Sequence, residues 1–299
     1  MSTRTLLEVV RLSTTFLAQH GSASARLDAE LLAAHALQLR RIDLYLQFDR
    51  QLRDDELESV REMVRRRGQG EPVAYITGVR EFYGREFTVN RGVLIPRPET
   101  ETLVQVALDH LRAVAAGRSV LRVADLGTGS GCIAVTLACE LPDIRLTATD
   151  VSGAALEVAR ANASRHGVSE RITFVETSWA DAVDGPIDVV VSNPPYVTDA
   201  ELAGTERDVR AFEPETALLG GEDGLRAYRA LLESIRDRMN AEAAVFVEVD
   251  PRRAGGVLEL MQAALPGFST ALHADLTGRS RVAACVERPP SLLGPGVKG

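Results

Sequence analysis

The residues best suited to chemistry are Asn193-Pro194-Pro195-Tyr196, which end the apolar run Ile187-Asp188-Val189-Val190-Val191-Ser192. Branched apolar residues that stop at two prolines read as a buried strand entering a fixed turn. Neither proline has an amide hydrogen, and each presets its own backbone angle. The carbonyls of Asn193 and Pro194 are thereby left to serve something other than a neighbouring strand. An amide side chain, free carbonyls and an aromatic ring make a holder for a planar group bearing an NH2. The nitrogen of such a group is a poor nucleophile, because its lone pair is delocalised. If the Asn193 side-chain oxygen and the Pro194 carbonyl accept its two hydrogens, electron density at nitrogen rises and the nitrogen is aimed. Tyr196 then packs on the planar group. Such a site works by positioning and needs no strong base. In keeping with this, His20, His35, His110, His166 and His273 do not cluster and are expected to be structural or exposed.

A second constellation is Asp125-Leu126-Gly127-Thr128-Gly129-Ser130-Gly131, where a strand meets a helix. Glycines at alternate positions let the backbone turn sharply and approach a ligand closely. A glycine-rich turn without a ligand is the plainer alternative. Asp150, about 20 residues on at the end of the next strand, favours a nucleotide-type cofactor, since an acid there accepts hydrogen bonds from ribose hydroxyls. The spacing is Gly-x-Gly-x-Gly with an acid just before it, not the Gly-x-Gly-x-x-Gly of dinucleotide enzymes, and no Gly-Lys-Ser/Thr follows. After a first strand, this form resembles the S-adenosylmethionine loop of the seven-stranded methyltransferases. Trp179, the only tryptophan, follows the third strand. Core packing and stacking near an adenine weigh about evenly for it.

These residues need a scaffold, and 299 residues suffice for one large domain with a small one beside it. The net charge is −8, and Lys298 is the only lysine. An acidic chain is poorly suited to neutralising phosphates, so direct nucleic-acid binding is not expected. Cys132, Cys139 and Cys285 are odd in number and lack metal-ligand spacing. With no signal pattern and no apolar run long enough for a bilayer, the expectation is a cytoplasmic protein without a metal or a membrane.

Up to about Ile76 the pattern is helical, with Leu6, Val10, Ser13 and Leu17 at helical spacing, then Leu27, Leu31 and Ala34, then Leu57, Val60 and Val64. Asp54-Asp55-Glu56 and Arg65-Arg66-Arg67 bracket the last of these with the polarity a helix dipole favours. From Glu81 short alternation takes over, with Phe82, Phe87, Val89, Val93 and Ile95 around Asn90-Arg91-Gly92, which predicts a β-hairpin. Beyond Gly117, strands at Val120–Asp125, Ile144–Asp150, Ile172–Glu176, Ile187–Ser192 and Ala244–Val249 alternate with helices such as Ala154–Arg165. That alternation predicts a parallel sheet covered on both faces. Thr270–Ala274 and Arg281–Val286 flank Thr277-Gly278 at hairpin spacing, so the last strands are expected to be antiparallel. The fold class is α/β: a Rossmann-like seven-stranded domain (residues 99–288) joined by a β-hairpin connector (79–98) to a small helical domain (1–78). Residues 289–299 form a Pro- and Gly-rich tail expected to be disordered.

Taken together, the chain resembles the HemK/PrmC family. The resemblance rests on Leu27-Asp28-Ala29-Glu30-Leu31-Leu32, Val93-Leu94-Ile95-Pro96-Arg97-Pro98-Glu99-Thr100-Glu101, Asp125 to Gly131, Asp150 and Asn193 to Tyr196. It continues through Phe212-Glu213-Pro214, Ala217-Leu218 and Gly220-Gly221-Glu222-Asp223-Gly224-Leu225. What it implies is methylation of the side-chain amide nitrogen of the glutamine in the Gly-Gly-Gln motif of class 1 peptide chain release factors. The donor would be S-adenosylmethionine, with S-adenosylhomocysteine as product, and the enzyme a monomer whose helical domain docks the release factor. By family motif, Gly127, Thr128, Gly129, Ser130, Gly131, Asp150, Trp179 and Asn193 bind the cofactor. Asn193, Pro194, Pro195 and Tyr196 hold the glutamine, with Asn193, Pro194 and Tyr196 catalytic, and Arg97 lies near the site. The chain departs from the family where Glu248-Val249 runs into Asp250-Pro251-Arg252 in place of a glycine turn. The alternatives are glutamine methylation of a large-subunit ribosomal protein, adenine amino-methylation of nucleic acid, and a helical partner-binding protein with a vestigial methyltransferase domain.

Overall fold

The computed structural model describes residues 4–115, 120–204 and 211–287. The chain divides into two compact units: Met1–Val79 with Thr205–Glu213, and Arg80–Gly204 with Pro214–Gly299. The tail from 289 onward lies outside the described residues.

The first unit is helical: α1 (Leu6–Gln19), α2 (Ala25–Ala36), α3 (Arg41–Tyr45), α4 (Asp54–Gly68) and α5 (Val73–Thr77). Thr5 and Glu8 cap α1 reciprocally: Thr5 N donates to Glu8 Oε2 at 2.9 Å, and Glu8 N to Thr5 Oγ1 at 3.3 Å. The core joins Leu6, Val10 and Leu17 of α1 to Leu57, Val60 and Val64 of α4, as their spacing predicts. On α2 the spacing misleads. Leu27 and Leu31 are 41% and 37% exposed, while Asp28, Ala29, Glu30, Leu32 and Ala33 are buried. The buried acids explain the reversal, because each is fully provided with donors. Asp28 accepts from Arg67 Nε at 2.7 Å and from the hydroxyls of Ser22 and Ser24 at 2.8 Å each. Glu30 accepts from Arg41 Nε at 2.7 Å, Arg26 Nε at 2.9 Å and the Tyr45 hydroxyl at 2.8 Å. The face that fastens α2 to its neighbours is polar at its rim and built on alanines.

Next along the chain comes a two-stranded hairpin, β1 (Val79–Phe82) and β2 (Arg85–Thr88). Its turn is Tyr83-Gly84 and not the expected Asn90-Arg91-Gly92. Both turn residues have positive φ (51° and 68°), as a two-residue hairpin turn requires. Asn90 to Gly92 form a separate turn, closed by Gly92 N on Asn90 Oδ1 at 2.8 Å. Val93 and Ile95 beyond it are buried but not in a strand, since Pro96 and Pro98 cannot join a ladder.

In the second unit a seven-stranded sheet has the order β5-β4-β3-β6-β7-β9-β8. Its strands are β3 (Leu121–Leu126), β4 (Ile144–Asp150), β5 (Ile172–Glu176), β6 (Ile187–Ser192), β7 (Met239–Glu248), β8 (Phe268–Ala274) and β9 (Ser280–Glu287). The first five run parallel, and β9 pairs antiparallel with both β7 and β8. On one face lie α6 (Thr100–Val114), α7 (Cys132–Glu140) and α8 (Gly153–Arg165); on the other, α10 (Arg226–Ile235) and α11 (Ala254–Ala264), after a short α9 (Asp199–Gly204). The alternation within β6 serves both faces. Val189 and Val191 join the core under α6 and α7, and Val190 joins the core with Tyr228, Leu231 and Val257. Phe82 and Phe87 of the hairpin are fully buried in the first of these cores. Asn162 of α8 ties the hairpin in further. Its Oδ1 accepts from Thr88 N at 2.8 Å, and its Nδ2 donates to Thr88 O at 3.0 Å and to Ser130 O at 2.8 Å.

Candidate active site

The strand order reverses between β3 and β6, and at such a point the loops leaving neighbouring strands part to leave a crevice at their carboxyl ends. The glycine loop leaves β3 there. Gly127 N and Thr128 N both donate to Thr149 O of β4, at 2.9 and 2.8 Å. Gly127, Gly129 and Gly131 then take φ of 74°, 54° and 79°, a conformation that side chains disfavour. Gly131 also presses on α8, where a Cβ would stand 3.0 Å from Ala159 Cβ and 3.1 Å from Ala159 Cα. At Gly129 a Cβ would meet nothing within 4 Å.

Two acids brace this loop. Asp125 is fully buried; its Oδ2 accepts from the Thr128 hydroxyl at 2.6 Å and from Ala134 N at 3.1 Å. Burial pushes its carboxyl up to about 7 against those two bonds. Asp150 Oδ2 accepts from Gly129 N and Oδ1 from Ser152 N, both at 2.9 Å. Burial raises its pKa too, opposed by these amides. Each oxygen of Asp150 keeps a further accepting position.

A cavity opens at this edge, lined by Gly127, Gly129, Asp150, Val151, Ala155, Trp179, Asn193 and Pro195, together with Gly92–Leu94 and Pro214, Thr216 and Ala217. Its chemistry fits an adenosine-bearing sulfonium. Gly129 forms a cradle that a Cβ would fill, Asp150 offers acceptors to ribose hydroxyls, and the remaining wall is largely apolar. Trp179 belongs to the core and also borders the cavity. Its ring packs against the core containing Leu126 and Val190, with its backbone in the left-handed region (φ 46°).

Thr128, Ser130, Gly131, Pro194 and Tyr196 do not form part of that lining. Thr128 and Ser130 are buried, 4% and 2% exposed, and shape the loop from within. Pro194 is buried and Tyr196 half-buried against the core of α10 and α11. Burial pushes the Tyr196 hydroxyl up to about 12. The segment after Tyr196 is clamped to the loop before α10: Val197 N donates to Leu218 O at 2.9 Å, and Gly220 N to Val197 O at 2.8 Å. Only glycine fits at 220, since a Cβ would stand 2.7 Å from Tyr196 Cα.

Asn193 is half-buried, and its Nδ2 donates to Thr100 Oγ1 at 3.2 Å. Among the described residues nothing donates to its Oδ1. Thr100 in turn donates to Glu248 Oε2 at 2.6 Å. Burial pushes the Glu248 carboxyl up to about 7, against the Thr100 hydrogen bond and the charges of Arg281 and Arg97. This places Arg97 within electrostatic reach of the site. The Asp250-Pro251 departure lies just past Glu248 and forms an ion-paired turn, Asp250 Oδ2 standing 2.7 Å from Arg252 Nη2. Residue chemistry alone did not reveal Thr100 or Glu248 as supports of Asn193. The usable signal is Glu248 itself, the one acid within the otherwise apolar Ala243–Val249 stretch, at the end of β7.

The sheet, the glycine loop with its acid, and an amide side chain on the same cavity define an S-adenosylmethionine-dependent methyltransferase. Residues 8–78 match the PrmC N-terminal domain family, and residues 102–209 match the methyltransferase small domain family. The release factor glutamine methyltransferase of Chlorobaculum tepidum is 48% identical over 235 residues, covering 76% of this chain and 79% of that protein. That of Rhodopirellula baltica is 40% identical over 281 residues, covering 93% and 95%. The chain belongs to the release factor glutamine methyltransferase family. Among solved structures, the hMettl16 catalytic domain in complex with a MAT2A 3'UTR hairpin aligns with a TM-score of 0.55 at 17% identity, covering 73% of this chain and 81% of that one. At that identity the fold alone is shared.

Proposed function

We propose that this chain methylates the side-chain amide nitrogen of the glutamine in the Gly-Gly-Gln motif of class 1 peptide chain release factors. The observation that carries the reading is the placement of Asn193. It lines the same cavity as Gly129 and Asp150, with its NH2 engaged by Thr100 and, among the described residues, no donor to its Oδ1. Bound S-adenosylmethionine supplies an electrophilic methyl group on a sulfonium. Gly127, Gly129 and Asp150 hold that cofactor, the acid taking the ribose hydroxyls, and Trp179 closes the wall. Asn193 Oδ1 and the Pro194 carbonyl accept the two hydrogens of the substrate amide, which raises electron density at its nitrogen and orients it. Pro195 borders the substrate beside the cavity, and Tyr196 supports the turn from the core side. Thr128, Ser130 and Gly131 serve the cofactor by fixing the loop. One amide proton passes to solvent after transfer, so no strong base is called for.

The helical unit docks the release factor, and the enzyme works as a cytoplasmic monomer without direct contact to nucleic acid. No helix among the described residues is long and apolar enough to cross a membrane. Mass spectrometry of a release factor incubated with the chain and S-adenosylmethionine tests the reading. One added methyl on the Gly-Gly-Gln peptide, absent when that glutamine is replaced, is the expected result. An unmodified factor with the cofactor bound would overturn the substrate assignment.

A further inference from the structure

Asn193 is supported by two buried residues that are distant from it in the chain. Thr100, 2% exposed, opens α6, and Glu248, 1% exposed, ends β7. The directions of their two hydrogen bonds follow from what each group can donate. A threonine hydroxyl has one hydrogen, and the Glu248 carboxylate, once ionised above about pH 7, can only accept. With its hydrogen on Glu248 Oε2 at 2.6 Å, Thr100 Oγ1 can only accept from its other neighbour, Asn193, at 3.2 Å. That neighbour must therefore present its NH2. Rotating the Asn193 amide by half a turn would set Oδ1 against an oxygen lone pair and turn the NH2 away from its acceptor. A substrate amide would then meet donor with donor. A substrate carboxylate, by contrast, is turned away by the orientation observed, because it meets Oδ1 with no hydrogen between them.

We propose that Glu248 and Thr100 are positioning residues that fix which end of the Asn193 amide faces the substrate, and so select an amide over a carboxylate. The proposal rests on the reading of Asn193 as the amide holder. It adds two residues from elements remote in sequence, with Glu248 acting through Thr100 and Thr100 through Asn193.

Thr100→Val, Thr100→Ser, Glu248→Gln and Asn193→Ala, with the Thr100→Val/Asn193→Ala double variant, test it in the full chain. The readouts are kcat and KM for a release factor, with S-adenosylmethionine affinity by calorimetry reporting on the fold. Thr100→Val is expected to lower kcat roughly 10- to 100-fold with cofactor Kd within about twofold of the parent. Glu248→Gln gives a drop of the same order, because its side-chain NH2 can donate to Thr100 and release the threonine hydrogen to either amide orientation. Thr100→Ser keeps the hydroxyl and restores kcat to within about threefold. In the Asn193→Ala background, Thr100→Val costs no more than about twofold, since nothing is left to orient. A Thr100→Val enzyme within about twofold of the parent overturns the proposal. An equal loss in the Asn193→Ala background, or a loss of cofactor affinity parallel to kcat, overturns it as well. Full activity of Asn193→Ala would overturn the amide-holder reading instead, so the two failures are distinguishable.

Discussion

Alanine at Gly131 and alanine at Gly129 are expected to damage the protein in different ways. Both residues have positive φ, so each substitution carries the left-handed cost of about 1–2 kcal/mol. At Gly131 the new methyl also lies 3.0 Å from Ala159 Cβ and 3.1 Å from Ala159 Cα. The helix backbone has to give way, and overpacking of this kind adds about 1–3 kcal/mol. The sum, roughly 2–5 kcal/mol, corresponds to a fall in Tm of about 5–15 °C for a domain of this size. At Gly129 nothing lies within 4 Å, so only the first cost applies and Tm falls by about 3–6 °C. Its methyl, however, stands in the cradle on the cavity wall, and a misplaced methyl costs cofactor affinity by roughly 10- to 100-fold. Thermal unfolding of the ligand-free chain and calorimetry with S-adenosylmethionine separate the two effects. If Gly129→Ala bound the cofactor as well as the parent, the cradle would be misplaced. If the two variants melted together, the Ala159 contact would not be the constraint described.

Three further outcomes follow from the same geometry. Asp150→Ala removes the acceptor for Gly129 N and Ser152 N and is expected to weaken S-adenosylmethionine about 10- to 100-fold by calorimetry; unchanged affinity would remove Asp150 from the site. Arg67→Met leaves the buried Asp28 carboxylate with two hydroxyl donors and no cation, which should lower stability by roughly 3 kcal/mol in denaturant unfolding while cofactor affinity holds. Asp125 and Glu248 both have carboxyls raised to about 7, so between their ordinary range and pH 7 the folded state binds more protons than the unfolded chain. Their stabilising contribution is complete below about pH 4 and lost as pH rises through 7, roughly 4 kcal/mol for Asp125 and roughly 3 kcal/mol for Glu248. Glu248→Gln should flatten that slope in urea titrations at pH 5 to 8, and an unaltered slope would mean that Glu248 does not titrate there.

The sheet was legible because its strands are apolar, of the right length and punctuated by glycine and proline; the β6 strand matches its sequence reading residue for residue. The glycine loop and Asp150 were legible for a related reason, since backbone that must approach a ligand leaves few residue types to choose from. Three things were less visible. The α2 face misled because Leu27 and Leu31 stand at helical spacing while the burial is decided by Asp28 and Glu30 and the donors around them, which lie up to 39 residues away. Asn90-Arg91-Gly92 is a good turn signal that belongs to a different turn from the hairpin's; Tyr83 in the left-handed region is a choice that sequence preference argues against. Gly92–Leu94 and Pro214, Thr216 and Ala217 line the cavity through shape alone, so no residue chemistry announces them.

The position of β9 has a consequence for how the protein comes to be active during synthesis. β9 is made after β8 yet lies between β7 and β8, so β8 has no place in the sheet until residues 280–287 have emerged. The strands bearing the glycine loop and Asp150 pair with one another and need nothing from this end of the chain. β7, which carries Glu248, is flanked on one side only until β9 inserts, with Glu248 itself opposite Val282. Folding that follows the emerging chain would therefore complete the nucleotide half first and the amide-holding half last. A nascent chain could acquire its methyl donor before it could recognise anything to methylate.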